Sequence, residues 1–242
     1  MNKFYFDKDA ANKAIGFIEQ FITHTKGELS GKKLKLEDWQ SKIVGDIFGW
    51  KDKETNLRKY RTVFIEVPRK NGKSTLCAAI GLYMLFADEE RGSEVYSAAG
   101  DRAQAGIVFE IAKGMILQSP ELSQRGKVFR NSIVNESKGN FYQAISSDSK
   151  TKHGFNANCI IFDELHTQPN RDLWDTLVTS TGSRRQPLTI AITTAGYDKQ
   201  SICYEIYSYA KKVQDGTIKD DSFYSVIYES ENDDDITLES TW

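Results

Sequence analysis

Two short stretches concentrate the chemistry this sequence can do: VPRKNGKST, from Val67 to Thr75, and CIIFDE, from Cys159 to Glu164. The first ends in Gly72-Lys73-Ser74-Thr75 between a β-branched run and an apolar one, the arrangement that holds nucleotide phosphates at a helix N-terminus. Gly72 lets the backbone approach the phosphates, Lys73 reaches the β/γ-phosphates and Ser74 ligates magnesium, with Thr75 the adjacent hydroxyl. Val67 stands where such loops have their first glycine, and Pro68, Arg69, Lys70 and Asn71 fill the loop. The second stretch is four apolar residues followed by Asp163 and Glu164. Acids at the carboxyl end of a buried parallel strand lie in the crevice where ligands bind. There Asp163 holds the magnesium shell and Glu164 polarises a water as general base, which suits hydrolysis better than phosphoryl transfer to a substrate. The competing interpretation of the two acids is a pair of helix caps after a strand.

Two weaker signals accompany these. ITTAG, Ile192 to Gly196, ends another apolar run, and the Thr193 and Thr194 hydroxyls there suit sensing of a γ-phosphate. An ordinary strand turning at a glycine has the same appearance. Upstream, LEDWQ ends in Gln40, whose amide offers the donor and acceptor that match adenine N7 and N6, unless it is a surface helix residue.

The elements that must position these residues alternate along the chain. Helical spacing of Ala14, Ile18, Phe21 and Ile22 predicts a helix after a capping Asp7, and EDWQSKIVGDIFGW predicts a second. YRTVFIEV is a strand, Ser74 to Ala87 a helix, SEVYSAAG a strand, and DRAQAGIVFEIAKGMILQS a helix capped by Asp101. KVFRNSIVNESKGNFYQAISS holds short strands joined by polar turns. NCIIFDE, PLTIAITTAG and SFYSVIYES are strands separated by the helices NRDLWDTLVTST and SICYEIYSYAKKVQDG. Strands alternating with helices, several apolar throughout, indicate an α/β fold with a parallel sheet covered on both faces.

Composition limits the function classes. At 242 residues, 39% hydrophobic and 27% charged, the chain has ample material for a core. Its formal charge of −2 argues against a simple basic nucleic-acid binder. Cys77, Cys159 and Cys203 lie far apart in apolar runs with no metal-ligand spacing, which reads as core thiols. The longest apolar stretch, CAAIGLYMLFA, is too short to span a bilayer, and the N-terminus lacks a signal peptide's apolar segment.

Taken together, Gln40, PRKNGKST, IIFDELH and TTAG resemble the N-terminal ATPase domain of the large terminase subunit of tailed phages, in the branch that includes HK97-like phages. The resemblance implies a P-loop NTPase of the ASCE type, with a mostly parallel central sheet and helices on both faces. It implies an ATP- and Mg2+-dependent motor that packages double-stranded DNA into an empty capsid. Its partners would be the portal protein and the small terminase subunit, its assembly a homo-oligomeric ring, and its setting the cytoplasm of the infected bacterial host. By resemblance Lys73 and Ser74 bind phosphates and magnesium, Asp163 binds magnesium and Glu164 is catalytic. Gln40 matches the adenine-reading glutamine, Thr193 and Thr194 the coupling motif, and Arg69 the arginine such deviant loops carry. A basic residue reaching into the neighbouring subunit's site is also implied. Lys152 in SKTKHG is the first candidate and Arg102 in AAGDRAQ the second, although a lysine lacks the guanidinium's fork.

The expected organisation is a motor domain over 1–228, including the N-terminal helical segment, and an acidic linker over 229–242 leading toward a nuclease domain that this chain does not contain. DELH also fits superfamily 2 helicases of the DExH type, and a nucleotide-binding scaffold without turnover is the alternative from a different class.

Overall fold

The computed structural model describes residues 3–147, 154–196 and 198–229. Lys152 and the linker from residue 230 onward lie outside these. The described chain runs β1 (Phe4–Phe6), α1 (Lys8–Phe21), α2 (Asp38–Gly49), β2 (Trp50–Asp52), β3 (Thr62–Glu66), α3 (Lys73–Phe86), β4 (Glu94–Ala99), α4 (Arg102–Gln118) and α5 (Pro120–Ser123). It continues through β5 (Lys127–Val128), β6 (Ser132–Asn135), β7 (Asn140–Ser146), β8 (Ala157–Asp163), α6 (Asp172–Thr179), β9 (Leu188–Thr193), α7 (Ile202–Gln214) and β10 (Phe223–Ile227).

Eight of the strands form one sheet in the order β10-β3-β9-β8-β4-β7-β6-β5. Pairing is parallel from β10 through β7. The far edge is the antiparallel part of this mostly parallel sheet: β5, β6 and β7 form an antiparallel meander, because polar turns too short for a crossover join them. β9 lies between β3 and β8, so an additional strand separates the one leading into the phosphate-type loop from the one ending in the two acids. All the parallel strands end on the same edge, which gathers residues 67–75, 163–164 and 193–196 there.

Period-two alternation explains how the strands are buried on both faces. Val63, Ile65, Val95, Cys159, Ile161, Ile190 and Ile192 pack into one core with α1, α2, α3 and α4. Phe64, Tyr96, Ala98, Ile160, Phe162 and Ala191 pack into a second with α6 and α7. Helix α3 is apolar all round and correspondingly buried from Leu76 to Phe86. Each such Ile, Leu or Phe contributes on the order of 1.5–3 kcal/mol by leaving water.

The sequence-predicted caps are formed. Asp7 accepts from Ala10 N at 3.0 Å, and Asp101 accepts from Ala103 N and Gln104 N at 2.8 and 3.0 Å. All three cysteines are buried and unpaired, and burial pushes the Cys159 and Cys203 thiols up to about 12 and about 11. Among the described residues no helix is long and apolar enough to cross a membrane.

Candidate functional site

β3 delivers the chain to the loop without needing a glycine at Val67. The Val67 N–H donates to Thr193 O at 3.1 Å, extending the β3–β9 ladder by one residue, and its side chain is buried in the larger core. The left-handed turns fall later, at Lys70 (φ 69°) and Gly72 (φ 73°). Gly72 tolerates this without strain and is the residue from which α3 starts, whereas Lys70 bears a cost of about 1–2 kcal/mol for the same conformation. Asn71 Nδ2 braces the turn by donating to Pro68 O at 3.2 Å and Arg69 O at 3.4 Å. Arg69, Lys70 and Asn71 are themselves exposed.

Lys73 is the buried cation at the centre. Its Nζ donates to Pro68 O at 3.2 Å and Val67 O at 3.4 Å, and lies 3.8 Å from Glu164 Oε1. One residue on, Ser74 Oγ donates to Asp163 Oδ2 at 2.6 Å, joining the two motifs across the crevice. Burial raises the Asp163 carboxyl above its ordinary range; the Ser74 bond opposes this, and the Glu164 charge adds to it. Asp163 Oδ1 is buried without a hydrogen-bond partner. An orphaned carboxylate oxygen beside a serine hydroxyl, at a helix N-terminus suited to phosphate, is the donor set magnesium takes when phosphates complete its shell. The residues therefore fit that ion.

Glu164 follows β8 in a left-handed conformation (φ 53°), unusual for a residue with a side chain and a mark of a constrained turn. The turn is closed by Thr167, whose N and Oγ1 both donate to Glu164 O at 2.8 Å. His166 Nδ1 lies 3.3 Å from Glu164 Oε2, an oxygen that makes no hydrogen bond of good geometry. The structure thus brings Lys73, Ser74, Asp163 and Glu164 together.

Thr193 and Thr194 are buried at the end of β9. The Thr193 hydroxyl faces His166 and Cys203: His166 Nδ1 is at 2.9 Å, His166 N at 3.3 Å and Cys203 Sγ at 3.8 Å, while the hydroxyl donates to Thr194 O at 2.9 Å. That hydroxyl is thus engaged by protein groups on every side the structure describes. Gln40, near the start of α2, is buried, and its Oε1 accepts from Glu37 N at 3.1 Å. One oxygen lone pair is thereby committed, and the amide orientation is fixed with Nε2 toward Gly72. Gln40 lines a cavity of about 460 Å³ with Leu34, Leu36, Trp39, Lys70, Asn71, Gly72 and Thr75, a size that holds a nucleobase and sugar. A groove of about 420 Å³ between α1, the end of α3 and α5 is far from these carboxylates in the chain's architecture. Arg102 is exposed at the start of α4, beyond the end of β4 on the same sheet edge. Sequence reasoning missed His166 and Thr167 as site components. The signal for His166 was its place in the DELH stretch, two residues after the second acid.

A strand-loop-helix opening on Lys73-Ser74, an acidic pair ending a neighbouring-but-one strand, and the added strand between them define a P-loop nucleoside triphosphatase fold of the ASCE type. Within that class, residues 38–212 match the family described as "Terminase large subunit, ATPase domain", and the chain belongs to that family. It is 29% identical over 240 residues to the terminase large subunit of Enterobacteria phage HK97, covering 95% of this chain and 44% of that protein. It is 24% identical over 252 residues to the terminase large subunit of Lactococcus phage SK1, covering 100% of this chain and 45% of that one. The crystal structure of the HK97 large terminase superposes with a TM-score of 0.82 at 24% identity, over 96% of this chain and 46% of that one. The chain thus spans less than half the length of these relatives. They are terminases, and nothing in these matches supports the helicase alternative.

Proposed function

We propose that this chain is the ATP-hydrolysing motor domain of a viral DNA-packaging terminase, coupling hydrolysis to translocation of double-stranded DNA into a procapsid. The observation that carries the reading is the Ser74–Asp163 contact with Glu164 held beside Lys73, inside a chain of the terminase ATPase family. In this reading the Gly72 turn and the N-terminus of α3 receive the phosphates, and Lys73 exchanges its loop carbonyls for the β/γ-phosphate oxygens. Ser74 and Asp163 hold magnesium, which when bound neutralises phosphate charge and polarises the γ-phosphoryl group. Glu164 orients the attacking water and accepts its proton, and its place beside Asp163 keeps it at the crevice. Arg69 adds positive charge at the loop's outer side. Gln40 presents Nε2 and its second oxygen lone pair to the base, and Thr75 lies on the same wall.

Residues 1–228 constitute the motor unit, with 229–242 an acidic linker leaving it. A basic residue from a neighbouring copy, Lys152 or Arg102, completes the site in a homo-oligomeric ring. That ring engages the portal protein and the small terminase subunit in the cytoplasm of the infected host.

The test is phosphate release from ATP and Mg2+ alongside equilibrium ATP binding. Lys73→Ala is expected to lose both, and Glu164→Gln to retain binding while turnover falls at least 100-fold. Turnover unchanged in both variants would sink the catalytic assignment.

A further inference from the structure

Glu164 has different neighbours at its two carboxylate oxygens. Oε1 faces Lys73 Nζ at 3.8 Å, and Oε2 faces His166 Nδ1 at 3.3 Å. The hydrolytic reading on which this inference rests sends the Lys73 ammonium to the phosphates, and the His166 ring edge stays beside Glu164. That ring is itself anchored. Its Nδ1 meets Thr193 Oγ1 at 2.9 Å, and the Thr193 hydroxyl spends its only hydrogen on Thr194 O at 2.9 Å. With the hydroxyl hydrogen on Thr194 O, Nδ1 carries the hydrogen in the imidazole–threonine bond and presents an N–H between Thr193 and Glu164. A second contact fixes the same residue through its backbone, since His166 N also donates to Thr193 Oγ1 at 3.3 Å. Gly196 completes the seat: a Cβ there would lie 3.2 Å from His166 Cβ, so the TTAG segment gives way where the histidine packs.

We infer that His166 is a positioning residue that aligns the Glu164 carboxylate and makes that alignment depend on where Thr193 sits. The histidine links the general base to the TTAG segment by one N–H with two acceptors in reach. When β9's end shifts, the ring shifts with Thr193 and the Glu164 oxygen loses its reference. Hydrolysis is then gated from the side of the sheet opposite Lys73, without any change in the residues that hold phosphate.

Five proteins test this: wild type, His166→Leu, His166→Asn, Thr193→Val and the double variant His166→Leu/Thr193→Val, each measured for ATP turnover and for ATP affinity. Asparagine retains a donor near the Nδ1 position, and leucine fills the space without one. His166→Leu is expected to lower kcat at least tenfold with ATP Kd within twofold of wild type, and His166→Asn to recover to within about threefold. The double variant His166→Leu/Thr193→Val should be no slower than His166→Leu alone, because the two act through one link. Equal losses in the Leu and Asn variants, additive losses in the double variant, or a loss confined to Kd would each overturn the inference. If His166→Leu does not fold, Thr193→Val carries the same prediction, a tenfold fall in kcat at unchanged Kd, and wild-type kcat in it refutes the link. Failure of the underlying hydrolytic reading is seen separately, as turnover that survives Glu164→Gln.

Discussion

Gly100 is where the loop after β4 touches the turn that carries Glu164. A Cβ added there would lie 2.5 Å from Thr167 O and 3.3 Å from Pro169 Cδ. Its φ is not among the left-handed glycine values, so the penalty for Gly100→Ala is steric rather than conformational. Carbon and oxygen in ordinary contact stay roughly 3.4 Å apart, so the two segments must separate by about 1 Å. The obstacle is a backbone carbonyl, which cannot swing away as a flexible side chain does. Overpacking of this kind costs about 1–3 kcal/mol, partly offset by about 0.4–1 kcal/mol from a less flexible unfolded chain. The net loss is about 1–2 kcal/mol, which for a domain of this size lowers the melting temperature by roughly 2–8 °C. Because Thr167 braces Glu164 O, the same displacement moves the acid, and an error near 1 Å in a reacting group is worth on the order of 100-fold in rate. Thermal melting, ATP turnover and ATP affinity of Gly100→Ala measure all three, with affinity expected to hold because the phosphate loop lies beyond β8 and β9. Gly106→Ala in α4, where nothing lies within 4 Å of an added Cβ, is the control and should be stabilised by about 1 kcal/mol. If Gly100→Ala melts at or above wild type and turns over ATP normally, the close approach at Thr167 is not what fixes the turn.

Two further perturbations test the scaffold. Glu66 is buried at the end of β3, and burial, reinforced by the nearby Glu229, pushes its carboxyl up to about 6. A raised carboxyl favours the fold below its ordinary range near 4.5, and that contribution disappears as pH rises through 6. Glu66→Gln should therefore melt higher than wild type at pH 8, by about 1 kcal/mol after solvent screening, with the gap closing at pH 5; a gap that does not change with pH refutes the assignment. The buried pair Arg58 Nη1–Asp88 Oδ1, at 3.4 Å, ties the segment before β3 to the end of α3, and Arg58 Nη2 also donates to Gln186 O. Arg58→Met should cost about 3–5 kcal/mol in denaturant unfolding by stranding the Asp88 charge, and Arg58→Met/Asp88→Leu should recover much of it; a single-variant loss under about 1 kcal/mol would show the pair is not holding that edge.

Elements with a local signature were legible in the sequence. The Asp7 and Asp101 caps, the all-apolar α3 and the fully buried β8 and β9 each carry their instructions within a few residues, and they formed where expected. What was not legible depends on partners remote in the chain. Phe4–Phe6 pairs with Trp50–Asp52, and neither segment has enough residues for a periodic signal. α5 is a single turn set by Ser119 and Pro120 after a longer helix, too short to stand out. The candidate site divides in the same way. Lys73, Ser74, Asp163 and Glu164 announce themselves by type and spacing. The commitments of the Thr193 hydroxyl and the Gln40 amide could not be read, because His166, Cys203 and Glu37 reach them through the fold. Val67 shows the reverse: a residue that looks like a defect in the loop is ordinary once β9 lies beside it.

The place of β3 between β10 and β9 has a consequence for how the chain acquires its site. Thr62 pairs with Thr189 on one side and Phe223 on the other, so both neighbours of this strand are made long after it. During synthesis β3 is a hydrophobic ribbon with two open edges, and non-local pairings of this kind form slowly and expose the chain to association meanwhile. The backbone bond from Val67 to Thr193 that shapes the root of the phosphate loop belongs to this last stage. Nucleotide capture is thus a property of the finished sheet. A nascent chain that has not yet reached residue 188 carries every residue of the phosphate loop and none of the strand that gives the loop its shape.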